Sequence, residues 1–317
     1  MALTVTTFNV ENLFNRYAFL DQPWQNRKHE QFVQAIGVVS IASRAGDLVQ
    51  HPLTELQRNN TARAILDSAP DILAVQEIEN LHTLRNFNDT YLDNYFDRLI
   101  CIDGNDPRGI DVGLMIREGA PVQNVGIRTH VDEAENVGEA VLHGTARNFG
   151  YLARKAIFSR DCLEVDIAIS HEILTLLVNH FKAHDGTEDS VKRRTKQAER
   201  VAQYVQNAVD NGSLPIVLGD LNVDPETDKS LASLLDNDLL QDPFPSDIWT
   251  HYYVPEKNAS RLDYILPHES LNVTATNIVR NGLTTKATIY TGPRYPTVGQ
   301  EHTEASDHCP TSVVLDL

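Results

Sequence analysis

Residues 214–222 read LPIVLGDLN. Apolar β-branched and leucine positions mark a buried strand, and strict alternation puts Leu214, Ile216, Leu218, Asp220 and Asn222 on one side of it. A strand whose core-facing row ends in a carboxylate and an amide delivers two polar groups to the rim of a sheet. Asp220 alone reads as a turn residue ahead of the DPET that follows, but Asn222 two places on favours a site.

Other apolar runs stop in the same way. ILTLLVNH ends on His180, in phase with Leu174, Leu176 and Val178, and DILAVQE ends on Glu77. FNVENLF, residues 8–14, carries Asn9 and Glu11 at the end of LTVTTFNV. RGIDVGLMIR places Ile110, Val112, Leu114 and Ile116 on one face and leaves Asp111 to the other with Gly113 and Met115. RLDYIL sets Asp263 between Leu262 and Tyr264, and SDHCP places Asp307 and His308 just before the last strand. A buried acid beside a histidine fixes the ring's tautomer and raises its basicity, as proton transfer near neutral pH requires. Ends of strands from two facing sheets can meet at one rim.

The 317 residues, 41% hydrophobic and 22% charged, suffice for a large core. No apolar run nears the roughly 20 residues that span a bilayer, and the N-terminal MALTVTTFNV has no basic and apolar leader pattern, so the expectation is a cytoplasmic monomer. Cys101, Cys162 and Cys309 are widely spaced and odd in number, which indicates neither a disulfide framework nor a thiolate zinc site. The formal net charge of −17 repels polyanions at long range, against a tight passive nucleic-acid binder. An enzyme that holds divalent cations in clustered carboxylates suits this balance better.

Periodicity predicts strands at Leu3–Val10, Asp71–Ile78, Asp111–Ile116, Leu152–Phe158, Cys162–Ile169, Ile173–Phe181, Leu214–Leu221, Arg261–Leu266 and Thr311–Leu317. Two helices stand out, at 54–70 and from an N-cap at Ser190 to Gly212, the second burying Val191, Ala198, Val201, Ala202 and Val205. Its basic run, Lys192, Arg193, Arg194, Lys196 and Arg200, reads as a solvated face, and Lys182 and His184 as loop residues. Residues 21–51 look like an insertion with a short helix at Gln31–Ser40, and 282–306 like a long loop of functional character. With strands crowding the middle and helices near both ends, and no linker or repeat, the expectation is one domain over residues 1–317, an α/β sandwich of two packed sheets with helices outside.

FNVEN, QEIE, RGIDVGLMIR, NHFKAHDG, GDLNVDP, RLDYIL and SDHCP, taken in this order, resemble the endonuclease/exonuclease/phosphatase family. NHFKAHDG followed by RRTKQAERV is most similar to its bacterial nuclease-like members. The resemblance runs from residue 8 to 310 and implies a four-layer α/β/β/α sandwich and phosphoester hydrolysis dependent on Mg²⁺ or Mn²⁺. It implies Glu77 as the principal metal carboxylate, with Asp307, Asn9 and Glu11 close by. It implies Asp220 and Asn222 as the pair that orients the attacking water, His308 with Asp263 as one catalytic dyad, and His180, with Asp111 near its partner position, as a second. Arg154 in YLARKAIF fits a phosphate-contacting arginine. The substrate so implied is nucleic acid, DNA or RNA. A small or lipid phosphoester is the alternative, and a catalytically silent binding protein on the same fold is the reading that gaps in this residue set would favour.

Overall fold

A computed structural model describes residues 1–13, 17–19, 48–50, 53–106, 109–123, 125–134, 156–300 and 302–317. Along the chain run β1 (Ala2–Leu13), β2 (Tyr17–Phe19), β3 (Leu48–Gln50), α1 (Glu55–Ser68), β4 (Ile72–Ile78), α2 (Leu81–Tyr91), β5 (Phe96–Cys101), β6 (Asp111–Arg117) and β7 (Val125–Arg128). They are followed by β8 (Cys162–Ile169), β9 (Glu172–His180), α3 (Glu188–Asp210), β10 (Leu214–Asp220), α4 (Ala232–Leu235), β11 (His251–Tyr253), β12 (Asn258–Ser260), β13 (Asp263–Pro267), β14 (Asn272–Ile278) and β15 (Thr311–Asp316).

Two mixed sheets carry the fold, ordered β14-β15-β1-β4-β6-β5 and β13-β10-β9-β8-β7. Each holds a parallel pair, β1 with β4 and β9 with β10, and a parallel pair needs a crossover, which α1 and α3 supply. The inner faces meet through alternating aliphatics: Val5, Ile72, Leu114 and Val313 from one sheet, Val165, Leu176, Ile216, Leu218 and Ile265 from the other. Burying such a side chain contributes about 1.5–3 kcal/mol, so this layer sets which face of each strand turns inward. The opposite faces are covered as well. Phe8, Leu73 and Met115 pack under Ala64 and Ile65 of α1 and Leu84 and Phe87 of α2, while Leu177, Val217 and Tyr264 pack under Ala198, Val201 and Val205 of α3. This is the four-layer α/β/β/α sandwich.

Several local expectations need correction. The N-cap of α3 is Thr187, whose hydroxyl accepts the Ser190 backbone N–H at 3.2 Å, so the helix begins a turn before Ser190. That places Val191 39% exposed, outside the buried stripe. The basic run is a solvated face only at Lys192 and Lys196. Arg194 is fully buried and donates to Asp228 at 2.6 Å, Arg193 donates to the Ala156 carbonyl, and Arg200 pairs with Glu133. Arg261, expected inside its strand, lies ahead of β13 and forks onto both oxygens of Asp242 at 2.7 Å. Of the strand expected at Leu152–Phe158 only 156–158 lie within the described residues, where Ala156 makes a single bridge to Ala134. The helix expected at Gln31–Ser40 lies outside them. All three cysteines are free thiols. Among the described residues no helix is long and apolar enough to cross a membrane.

Candidate active site

The C-terminal ends of both parallel pairs open onto one rim. On β9, β10 and β13 the register sets His180 beside Asp220 and Asp220 beside Asp263, a row of three polar residues across adjacent strands. The row is in phase with the inner aliphatics, Val178 beside Leu218 and Leu218 beside Ile265, so all three side chains belong to the inter-sheet face. β10 can lie this close to β9 because residue 219 is glycine. A Cβ there would stand 1.9 Å from the Asn179 carbonyl oxygen, and its φ of +135° is one that side-chain-bearing residues avoid.

From the facing sheet, β1 and β4 bring Asn9 and Glu77, and both strands depart from regular pairing where they do so. The register shifts between Asn9 and Leu13 on β1 and between Gln76 and Ile78 on β4, so Glu77 sits on a bulge at φ +65°. A bulge re-aims one side chain without moving the strand, and left-handed backbone at a non-glycine residue costs of order 1–3 kcal/mol. Glu11 and Asn222 adopt the same backbone region, φ +48° and +53°. Three site residues are thus held in disfavoured conformations by their surroundings.

Asp220 is the hub. Its Oδ2 accepts from Asn9 Nδ2 at 3.0 Å and Asn222 Nδ2 at 3.1 Å, and lies 3.4 Å from His180 Nε2 and 3.8 Å from His308 Nε2. Its Oδ1 accepts the Asn222 backbone N–H at 2.9 Å. Burial and the nearby Asp263 charge push the carboxyl up to about 6, although His308 pulls the other way. His308 in turn bonds through Nδ1 to Asp263 Oδ2 at 2.8 Å, and the Asp263 and Leu262 backbone N–H groups both donate to Thr250 Oγ1 at 3.1 Å. Burial works against the imidazolium, but the carboxylates of Asp263, Asp220 and Asp307 outweigh it and hold the ring well above the usual histidine range. The three carboxylates thus favour the protonated ring, whose Nε2 faces Asp220 and Asp307.

The remaining acids lie on the other side of His308, whose Nε2 is 3.9 Å from Asp307 Oδ1. The Asp307 backbone N–H donates to Glu11 Oε2 at 3.1 Å, and the Glu11 backbone N–H to Asn9 Oδ1 at 3.0 Å. Ser306 ties the segment down, donating to the Asn9 carbonyl at 2.7 Å and accepting the His308 N–H at 3.0 Å. Burial and the charge of Asp307 push both Glu11 and Glu77 above the carboxylate range. Asp307 itself is held below it, because His251 and His308 outweigh its burial. Carboxylates that penalise one another in a buried space, all offering oxygen, are the kind of donors a hard divalent cation takes, and Glu77, Asp307 and Glu11, with Asn9 beside them, could supply them. The tightest groupings of ligand atoms among the described residues, each within 4.8 Å, are His251–Asp307–His308 and Asp220–Asp263–His308. Neither includes Glu77 or Glu11.

Asp111 accepts the Gly104 backbone N–H at 2.8 Å, next to Asn105, whose N–H donates to the Arg160 carbonyl at 3.0 Å. Arg160 contacts Asp106 at 3.1 Å and shares the Phe181 carbonyl with Asn222, at 3.0 and 3.2 Å. Asp111 is thus tied to Asn222 through a loop. Arg154 lies outside the described residues. Sequence reasoning missed His251, whose ring packs against that of His308 at a tilt of 48° with centroids 4.7 Å apart, and which reaches Asp307 at 3.5 Å. Its one signal is a histidine inside the aromatic run WTHYY just ahead of RLDYIL. Arg160, Thr250 and Ser306 carry no such signal, since their roles come from backbone contacts.

The model of the Endonuclease/Exonuclease/phosphatase family matches residues 7–308. No curated protein is a significant sequence match. Among solved structures, the human Nocturnin catalytic domain with bound sulfate aligns at TM-score 0.61 and 17% identity, covering 99% of this chain and 94% of its own. Truncated TDP2 from Caenorhabditis elegans aligns at TM-score 0.57 and 13% identity, covering 100% and 98%. The mannosyl-6-phosphatase Bt3783 of Bacteroides thetaiotaomicron aligns at TM-score 0.56 and 16% identity, covering 99% and 100%. At these identities the likeness is one of fold.

Proposed function

Since the chain belongs to the endonuclease/exonuclease/phosphatase family, whose members hydrolyse phosphoesters, we propose that it is a divalent-metal-dependent phosphodiesterase acting on nucleic acid. The observation that carries this reading is the Asp220 oxygen met by two imidazoles and two amides in one buried row. Asp220 orients a water and takes its proton, and an affinity near neutrality suits a general base. Asn9 and Asn222 fix the carboxylate's direction. The Nε2 atoms of His180 and His308 hold the non-bridging phosphoryl oxygens, with Asp263 keeping His308 aimed and charged. Glu77 and Asp307, with Asn9 and Glu11 beside them, would hold a divalent cation, which would supply Lewis-acid charge to the phosphate.

A phosphodiester, with one negative charge, suits this site better than a phosphomonoester with two. Glu11, Glu77, Asp220, Asp263 and Asp307 all converge here, and Arg160 is already committed to Asp106 and the Phe181 carbonyl. The fold also carries the mannosyl-6-phosphatase, so the test is a panel. Supercoiled plasmid, single-stranded DNA and RNA oligomers, sugar phosphates and lipid phosphoesters are each incubated with Mg²⁺ or Mn²⁺. Cleavage of the nucleic acids with the sugar and lipid phosphates intact supports the reading; the reverse pattern overturns it.

A further inference from the structure

A groove of about 310 Å³ runs up to Glu11 and Asp307 and away from Asp220. The hairpin of β11 and β12 lines it with Tyr253, Val254 and Pro255, and the loop at 282–306 with polar and charged side chains, Lys286, His302 and Glu304 among them. The two segments are fixed against each other, because Tyr252 buries its ring with Leu283 and Ala287. Tyr253, its neighbour on the strand, points the other way and is 45% exposed. Its ring lies nearly parallel to that of His251, with centroids 6.4 Å apart, and an exposed aromatic ring at the mouth of a groove beside a hydrolytic site is a surface for a flat ring.

Which part of a substrate reaches it follows from the direction of attack. His308 Nε2 stands between Asp220 Oδ2 at 3.8 Å and Asp307 Oδ1 at 3.9 Å. With water delivered from Asp220 and the phosphoryl oxygens held at His308, in-line displacement sends the leaving oxygen toward Asp307, where the groove begins. A nucleoside on that oxygen is uncharged, as the carboxylates of Glu11, Glu304 and Asp307 along the groove favour, and it offers a flat base to Tyr253. We propose that the groove is the leaving-group subsite, which takes the nucleoside on the departing side of the scissile phosphodiester and stacks its base on Tyr253. The inference rests on the phosphodiesterase reading above and adds the residue that selects the leaving group.

Its test compares a dinucleotide with the same compound lacking the base on the departing side. Stacking of a base on an aromatic side chain is worth about ten- to a hundredfold. In the wild-type protein kcat/KM is expected to fall by that factor when the base is removed. Tyr253→Ala should lose the same factor on the complete dinucleotide and change little on the base-free one, while Tyr253→Phe keeps wild-type behaviour on both. A dinucleotide carrying 2-aminopurine on the departing side, added to the Asp220→Asn protein, should lose fluorescence, and the further Tyr253→Ala change should restore it. Equal effects of Tyr253→Ala on both substrates, or quenching that survives it, overturn the subsite. Failure of the wild-type protein to cleave either compound counts against the phosphodiesterase reading instead, and the quench then decides the subsite alone.

Discussion

Replacing Asp263 by Asn tests whether His308 works alone or as half of a dyad. The 2.8 Å contact between Asp263 Oδ2 and His308 Nδ1 is fully buried, and Asn keeps the shape while removing the charge. A hydrogen bond to a charged group contributes about 1.5–3 kcal/mol, and its loss in the transition state lowers kcat about ten- to a hundredfold. His308→Ala removes the donor to the phosphoryl oxygen itself, for a loss of about a hundred- to a thousandfold. If the pair is one device, adding Asp263→Asn to His308→Ala costs almost nothing further, since the carboxylate acts only through the ring. The assay is steady-state cleavage of a fluorogenic dinucleotide by the four proteins. His308→Ala leaves the Asp263 carboxylate buried and unpaired, a penalty of about 3–5 kcal/mol, so rates are taken well below each melting temperature and folding is checked by circular dichroism. Losses that add in free energy, or an Asp263→Asn enzyme with wild-type kcat, would refute the coupling and leave Asp263 a structural acid.

Gly219→Ala should destabilise the protein by about 3 kcal/mol or more and lower its melting temperature by about 4 °C or more, because the new Cβ meets the Asn179 carbonyl at 1.9 Å and φ is +135°. Calorimetry reads this directly, and an unchanged melting temperature would mean that β9 and β10 are not locked at this point. Away from the site, Glu164 is held down to about 2: burial raises it, but hydrogen bonds from His130 at 2.7 Å and Arg128 at 2.6 Å prevail. With the folded value below the ordinary 4.5, its contribution is complete above pH 4.5 and is lost as pH falls through about 2. Over that window the wild-type protein should lose about 3 kcal/mol more stability than Glu164→Gln in urea titrations, and parallel losses would refute the assignment.

The pattern of strand ends made most of this site legible in the sequence. Asp220 and His180 could be placed because a period of two carries an inward row of aliphatics straight into a polar terminus, and Asp263 because it is an acid set between Leu262 and Tyr264. The bulge that aims Glu77 could not, since ILAVQEI reads as a regular strand buried on both faces and the departure lies only in its pairing with β1 and β6. β7 and β14 were missed because edge strands such as NVTATNI, mostly exposed on both faces, carry no hydrophobic alternation. α2 was missed because LHTLRNFNDTY is rich in helix-indifferent polar residues, and its N-cap Asn80 follows directly on a strand. The basic run on α3 misled for the opposite reason. Composition gives its charge, and only the fold shows Arg194 buried against Asp228.

The central claim is that a cation at Glu77 supports hydrolysis at Asp220, and plasmid cleavage against metal concentration measures it most directly. The wild-type protein, stripped with chelator and titrated with Mg²⁺ or Mn²⁺, should go from no cleavage to a saturating rate, while Glu77→Ala, folded by circular dichroism, should stay inactive across the same range. Cleavage that persists in chelator, or a Glu77→Ala protein that follows the wild-type titration curve, would contradict it.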